Sequence, residues 1–386
     1  MNLIRLSKIR AREVSARGAL LLLGSLAGCS GFSSLSPSHT IPMRSMTQEP
    51  ATRKANAMWR RSLMGMPFPS VGCFEASYPS LRWQRIACSK PSHLPDRLPW
   101  NTRYVQHAYV GDGNDYTLQT NSKISMATGS FPNVTGVESL HSPFGHDSYS
   151  LQLNSSFFPT AACKGMKYCA GWEQFVFLNV AGSEGALGME EWLVQTNPYK
   201  AFRCPPNAGW WYEGDSCLHH SHTVVIPVPY QPIRNLRDLS LTGAATSSGD
   251  SVYLAVGSKV YGMKNYQKDG ITDLAPNWKG AEFNIFGPGS DTMAQFNSGS
   301  TITVSLEAVT ANKAAPIKCV AKSGTTGETN NLTLVSAPSN PQGLQDPSIL
   351  FTESNAPGRG SASCDAVPEG RLDHPDNTSS ELPLDL

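Results

Sequence analysis

The chain has 386 residues, enough for one large domain or two ordinary ones. Its 31 basic and 30 acidic residues nearly cancel, which excludes the strongly basic surface by which proteins attract nucleic acid. Charged residues make up only 16%, below the usual ~25%, and the 33 glycines and 28 prolines are typical of short strands joined by turns.

Residues 1–28 have the pattern of an export signal. Five basic residues precede an apolar run at 19–27, which is too short to form a transmembrane helix. The run ends in Leu-Ala-Gly-Cys29, which resembles the lipid-attachment site of bacterial lipoproteins. We expect Cys29 to carry the lipid and Ser30 to direct the protein to the outer membrane of a bacterial cell envelope. Ordinary cleavage nearby, with secretion and an incidental Cys29, is the alternative.

Two segments of irregular character follow the signal. Residues 29–66 are rich in Ser, Pro, Thr and Arg, and we expect a disordered tether, in which residues 51–63 are also compatible with a helix. Residues 67–100 contain six prolines and two cysteines, which predicts an irregular segment held by a disulfide.

A β-rich region occupies residues 101–352. Thirteen short segments with strand-like alternation lie there, separated by Gly, Asn, Pro or Ser, and helical periodicity is nearly absent. This pattern predicts an all-β fold, namely one large antiparallel two-sheet β-sandwich of the concanavalin A-like or jelly-roll kind. Residues 353–386 hold seven acidic and two basic residues, and we expect a disordered acidic tail.

The cysteines indicate an oxidising compartment. Without Cys29 eight remain, an even number that predicts disulfides in an exported chain. Cysteines that are adjacent in the sequence order close short loops when they are paired. The last two cysteines are then left to form the fourth pair. We expect the pairs Cys73–Cys88, Cys163–Cys169, Cys204–Cys217 and Cys319–Cys364.

Two aromatic, strand-like stretches each contain a polar side chain. In residues 171–177, alternation places Gln174 on one face with Trp172 and Val176. In residues 278–285, it places Glu282 with Gly280 and Asn284. A carboxyl group among apolar neighbours has a raised pKa and can act as a general base towards water. A nearby amide can stabilise an oxyanion, so the two residues could form a catalytic dyad.

Four segments in order resemble the glutamic peptidases of the eqolisin type. They are residues 116–132, Glu173-Gln174-Phe175-Val176, residues 189–193 with Glu190 and Trp192, and Trp278 with residues 281–285 followed by 300–304. The resemblance covers roughly residues 115–310 and implies a lectin-like β-sandwich with Gln174 and Glu282 as its dyad. It implies neither a metal nor another cofactor. Phe283 stands where that family has Trp after the Glu.

Other polar and aromatic residues are weaker candidates. Trp172, Glu190, Trp192 and Trp278 could line a substrate cleft beside the dyad. Glu328 is a second possible acid, although its Gly- and Asn-rich surroundings favour a loop. The run His219-His220-Ser221-His222 suggests two metal ligands on one face, but no third ligand is at a recognisable spacing, so we expect no metal site.

The expected function is that of a lipid-anchored, monomeric acid endopeptidase that hydrolyses peptide or protein substrates. Glu282 would serve as general base and acid, and Gln174 would stabilise the oxyanion. The alternative is a non-catalytic, lectin-like envelope protein that binds carbohydrate or protein. In that alternative Trp210 or Trp211, between two cysteines, would contact the ligand.

Overall fold

The computed structural model describes residues 48–90, 110–111, 115–197, 202–206, 209–213, 216–219, 224–264, 272–289, 291–313, 315–339 and 346–356. The predicted signal, Cys29 and residues 29–47 of the predicted tether lie outside these residues. So do residues 357–386 of the predicted tail. None of the helices in the described ranges combines the length and apolar character needed to span a membrane.

The described ranges contain two α-helices and twenty-two strands. The helices are α1 (Gln48–Met64) and α2 (Leu274–Asn277). The first eleven strands are β1 (Gly72–Ser77), β2 (Gln84–Ile86), β3 (Thr117–Thr120), β4 (Ile124–Thr135), β5 (Leu140–Ser142), β6 (Gly145–His146), β7 (Tyr149–Ser155), β8 (Cys169–Asn179), β9 (Gly185–Gln195), β10 (Trp210–Glu213) and β11 (Ser216–His219). The others are β12 (Ile226–Val228), β13 (Leu239–Thr246), β14 (Gly249–Val256), β15 (Lys259–Lys264), β16 (Gly280–Phe286), β17 (Met293–Phe296), β18 (Thr301–Thr310), β19 (Ile317–Val320), β20 (Thr329–Asn330), β21 (Thr333–Ser339) and β22 (Ser348–Ser354).

Two large antiparallel sheets pack face to face and confirm the predicted all-β sandwich. In the described ranges each has nine strands. The first sheet has the order β2-β1-β15-β14-β13-β4-β18-β22-β21. The second has the order β10-β11-β9-β8-β7-β16-β3-β19, with β12 also paired to β9. A small sheet, β20-β17-β5-β6, completes the fold.

Aromatic rings of the second sheet pack directly onto glycines of the first. A Cβ atom placed on Gly129 of β4 would lie 2.0 Å from Cγ of Phe283. One on Gly243 of β13 would lie 2.3 Å from Cδ2 of Phe175. Both rings are fully buried, and the absence of a side chain at each glycine lets the two sheets approach at these points. The glycines therefore set the spacing of the sheets beneath the strands that carry Gln174 and Glu282.

The folded region begins earlier than predicted. Residues 48–64 of the predicted tether form α1 and are not disordered, which confirms the helix considered for residues 51–63. Trp59 and Leu63 of this helix are buried against Tyr253 and Val260 on the outer face of the first sheet. Residues 67–100 are not wholly irregular either, since β1 pairs with β15 and β2 with β1.

The boundary of the predicted acidic tail is also wrong. Strand β22 continues to Ser354, so Glu353 belongs to the sandwich and is fully buried. The strand does not stop at 352 because it pairs with β18 along its whole length, with Glu353 opposite Ile302.

Three of the four predicted disulfides are confirmed. Cys73–Cys88, Cys163–Cys169 and Cys204–Cys217 are bonded, with Cα–Cα distances of 5.5, 5.6 and 5.6 Å. Such bonds are typical of proteins in an oxidising, exported or extracellular compartment. The fourth predicted pair includes Cys364, which lies outside the described residues.

Adding one methyl group at Gly243 tests how much its contact with Phe175 contributes to stability. Gly243→Ala should lower the free energy of unfolding by about 1–3 kcal/mol, because the ring must move in a closely packed core. Urea unfolding measures the loss. Gly188→Ala is the matched control in a strand, since its nearest neighbour would be a methyl carbon of Val225 at 3.2 Å. An equal loss in both variants would contradict the proposed role of the contact.

Candidate functional site

Gln174 and Glu282 lie on the same face of the second sheet. In the strand register, Gln174 of β8 is opposite Asn154 of β7, and Asn154 is opposite Glu282 of β16. Thr117 of β3 continues this cross-strand row beyond Glu282, and Glu190 of β9 continues it beyond Gln174. The dyad strands are thus not direct neighbours, since β7 separates them. Two strand spacings place their backbones ~10 Å apart.

Asn154 links the two residues by hydrogen bonds. Its Nδ2 donates to Glu282 Oε2 at 3.3 Å, and its Oδ1 accepts from Gln174 Nε2 at 3.1 Å. Gln174 Nε2 also donates to Gln152 Oε1 at 3.0 Å. All four side chains are fully buried, so the network lies in an environment of low polarity, where such bonds are strong.

Two oxygens of this network are unsatisfied. Gln174 Oε1 and Glu282 Oε1 are buried and have no hydrogen-bond partner among the described residues. Buried polar atoms without partners are rare in folded proteins and often lie at functional positions. Among Gln152, Asn154, Gln174 and Glu282 they belong to the two residues of the predicted dyad.

A segment of the same chain, residues 323–326, covers Glu282; we call it the covering segment. The backbone N–H and Oγ1 of Thr325 both donate to Glu282 Oε2 at 2.7 Å. Thr325 Oγ1 in turn accepts from Trp172 Nε1 at 2.9 Å, and Ser323 Oγ lies 2.7 Å from Thr117 Oγ1. A Cβ on Gly324 would be 2.6 Å from Glu282 Oε1, so the backbone reaches the carboxyl group.

Further buried acids lie beyond Glu282 on the same face. Asn284 Nδ2 donates to Glu353 Oε1 at 2.7 Å and to Asp115 Oδ2 at 3.3 Å, and so bridges two carboxyl groups. Asp115 Oδ1 also accepts from the backbone N–H of Tyr116 at 2.7 Å. Both acids are fully buried. The polar row therefore continues into a second set of carboxyl groups.

Burial raises the pKa values of these acids. Desolvation raises the pKa of Glu282, and the hydrogen bonds from Thr325 and Asn154 partly oppose this. Desolvation raises the pKa of Glu353 to about 8. Desolvation, together with the charges of Glu282 and Glu353, raises the pKa of Asp115 well above its usual range. The set thus favours protonated, uncharged carboxyl groups.

The four predicted substrate-cleft residues take different places. Trp172 and Trp192 are on the dyad face but fully buried, with ring centroids 6.0 Å apart. The prediction that Trp278 lines the cleft is wrong. Trp278 lies in the core between the sheets, where the centroid of its ring is 5.7 Å from that of Phe175. Glu190 is half-buried at the next position of the row.

The remaining candidate residues lie in different surroundings. Glu328 lies outside the strands, as its loop-like surroundings predict, yet it is fully buried and accepts a hydrogen bond from Thr326. His219 is buried, with Nδ1 3.7 Å from Glu191 Oε2, whereas His220 and His222 lie outside the described residues. Trp210 packs against His219, with ring centroids 4.9 Å apart.

The sequence did not indicate two residues that are central to the hydrogen-bond network. Asn154 stands out there only as the start of an Asn-Ser-Ser glycosylation pattern, and its complete burial shows that it serves the network instead. Thr325 precedes another Thr in a glycine-containing loop, and no periodicity places it on Glu282. Its role depends on how the loop folds over the sheet.

No protein-family model matches the chain, and no curated protein matches it either. The eqolisin resemblance therefore depends on the residues themselves.

Because the buried carboxyl groups have raised pKa values, we expect the folded state to be more stable at acidic pH. Asp115, Glu282 and Glu353 have raised pKa values in the folded state, so folding favours their protonated forms. This contribution is complete below the unfolded pKa of ~4 and is lost as pH rises through the folded values, about 8 for Glu353. The free energy of unfolding should therefore fall by a few kcal/mol between pH 4 and pH 8.

Urea unfolding at pH 4, 6 and 8 measures this dependence. Glu353→Gln keeps the size of the side chain but cannot ionise, so it should flatten the curve. Glu75→Gln, at a half-exposed ion pair with Lys259, is the control that should keep the wild-type slope. Stability that rises towards pH 8 would contradict the prediction.

Proposed function

We propose that this chain is an exported, lipid-anchored acid endopeptidase of the glutamic-peptidase type, acting as a monomer. The observation that carries the proposal is the hydrogen-bonded row Gln174–Asn154–Glu282 on one sheet face. Each residue of the dyad has one buried oxygen without a partner among the described residues. The lipid on Cys29 and the outer-membrane location come from the signal sequence alone.

The chemistry follows from the two functional groups. Glu282, when ionised, accepts a proton from a water molecule whose oxygen attacks the carbonyl carbon of the scissile peptide. Gln174 Nε2 releases one of its two hydrogen bonds, to Gln152 Oε1 or to Asn154 Oδ1, and donates instead to the oxygen that gains negative charge. Glu282 then gives its proton to the leaving nitrogen as the C–N bond breaks. Hydrolysis thus needs only water and these side chains.

A peptide must displace the covering segment to reach Glu282. Thr325 now makes two hydrogen bonds to the carboxyl group and receives a third from Trp172. An open pocket of about 290 Å³ lies at the start of β16, and its lining includes Gly280, Ser156 and Gln119. Gly280 is two residues before Glu282 on β16, so the pocket adjoins the row. We infer that substrate enters there.

The burial of the dyad also favours the second candidate, a binding protein without turnover. Every member of the Gln174–Asn154–Glu282 row is fully buried under the chain itself. In that case the ligand would bind elsewhere, for example at the β10–β11 hairpin, where Tyr212 is 52% exposed. Saturable binding of glycan or protein that is weakened by Trp210→Ala would favour this candidate.

Cleavage of casein or a peptide library between about pH 3 and pH 7 tests the peptidase, a range that brackets the reference Glu pKa. Glu282→Gln should lower the rate by about 10²–10⁴-fold, as expected for loss of a general base. Gln174→Ala should lower it by about 10²–10³-fold, as expected for loss of an oxyanion donor. Glu75→Gln is the matched control and should cleave like wild type. Equal cleavage by wild type and Glu282→Gln, or none by any form, would refute the peptidase.

The covering segment can be loosened without substituting either residue of the dyad. Thr325→Val removes the hydroxyl that donates to Glu282 at 2.7 Å. Since a hydrogen bond between uncharged groups contributes a net ~1 kcal/mol, kcat/KM and amide exchange at 323–326 should each rise about five-fold.

Thr303→Val is the control for this experiment, because it breaks a hydroxyl pair with Thr352 in the first sheet. Unchanged amide exchange in Thr325→Val would show that the hydroxyl does not hold the segment. Faster exchange without faster cleavage would show that the segment does not limit access.

A further inference from the structure

A second polar cluster lies on the opposite face of β8, towards the first sheet. Glu173 of β8, Glu191 of β9 and Asp250 of β14 each direct one carboxylate oxygen to a common point, with these oxygens within 4.8 Å of one another. The three residues are 0%, 4% and 1% exposed. Glu173 and Glu191 are direct partners in the strand register, whereas Asp250 comes from the facing sheet.

An independent feature of this cluster is a buried carboxylate oxygen that lacks a donor. Glu173 Oε2 accepts from Thr272 Oγ1 at 3.2 Å, but Glu173 Oε1 has no hydrogen-bond partner among the described residues. The position thus combines converging negative charge with an unused lone pair, which is what a cation ligand requires.

The spacing of the oxygens fits a single ion. Ligand oxygens bond divalent cations at ~2.0–2.6 Å, so two of them on opposite sides of one ion are ~4–5 Å apart. The three oxygens all lie within 4.8 Å of one another, which leaves them close enough to share one ion. His219 adds an imidazole at the edge of the cluster, with Nδ1 3.7 Å from Glu191 Oε2.

We propose that Glu173, Glu191 and Asp250 bind one divalent cation between the two sheets. Three carboxylates form a hard, all-oxygen ligand set, which selects Ca²⁺ or Mn²⁺ rather than a thiolate- or imidazole-preferring ion. Because the ligands come from both sheets, the ion clamps β8 and β9 to β14. Glu173 directly precedes Gln174, so the ion also fixes the strand that carries this amide.

The site does not depend on the proposed peptidase. Its ligands point into the sandwich, whereas the Gln174–Asn154–Glu282 row is on the other face of the same strands. A binding protein without turnover would therefore retain it. We assign the ion a structural role and no part in hydrolysis.

Equilibrium dialysis and thermal unfolding of the EDTA-treated full chain test the site. With MnCl₂ or CaCl₂ as the probe, wild type should bind one ion per chain and unfold at a higher temperature when loaded. Glu173→Gln and Asp250→Asn should each weaken binding at least about ten-fold, while keeping the shape of the side chain. For Mn²⁺, loss of the free-ion electron paramagnetic resonance signal gives a second readout.

Glu282→Gln and Glu353→Gln are the matched controls, because they remove a buried carboxylate outside the cluster and should bind the ion like wild type. Failure of wild type to bind either ion at millimolar concentration would overturn the proposal. So would undiminished binding by Glu173→Gln and Asp250→Asn, since the ion would then bind elsewhere. If one of these variants does not fold, the other decides the result.

Discussion

The central strands of the second sheet are covered on both faces, and this constraint governs the rest of the structure. Every residue of β7 and β16 is buried. One face carries Leu153 and Phe283 and packs on the first sheet. The other carries Asn154 and Glu282, whose polar atoms have no access to solvent. Such a face is stable only if its polar groups bond one another or another part of the chain.

The covering segment is part of the solution to this constraint. Its Thr325 supplies two of the three hydrogen bonds that Glu282 receives, and Asn154 supplies the third. Asn284 donates hydrogen bonds to the next pair of buried acids, Asp115 and Glu353. Because each amide joins two neighbours, the change of one side chain alters the hydrogen bonding of the next. The acid pair is linked to the dyad through charge, since the charge of Glu282 contributes to the raised pKa of Asp115.

Opposite faces of one strand carry the two polar clusters. Gln174 faces the covered row, and Glu173 faces Glu191 and Asp250. Strand β8 thus holds buried polar groups on each side, whereas most of its length packs aromatic and aliphatic side chains. Nearby carboxylates that are buried without a cation repel one another, which is a cost to the folded state. The inter-sheet cluster and the dyad row place this cost at the same point along the strand.

Strand alternation in the sequence was enough to predict the sandwich, whereas the pairing of Gln174 with Glu282 came from the eqolisin resemblance. Short loops between cysteines were enough for three disulfides. Alternation could not reveal which face another element covers, so Trp278 was misplaced and Asn154 and Thr325 were missed. Nor could composition separate Glu353 from the acidic residues after it, because its burial depends on pairing with β18. Glu173 and Asp250 are 77 positions apart, and only the packing of the two sheets brings them together.

The strand order has a consequence for how the chain acquires its structure. Strand β4, at the middle of the first sheet, pairs with β18, which lies about 170 residues later in the sequence. Strand β1 pairs with β15 over a similar separation, and Glu353 arrives only with the last strand. Contacts of such long range form slowly, and an incomplete chain exposes unpaired strand edges. Nearly the whole polypeptide must therefore be present before the sheets close.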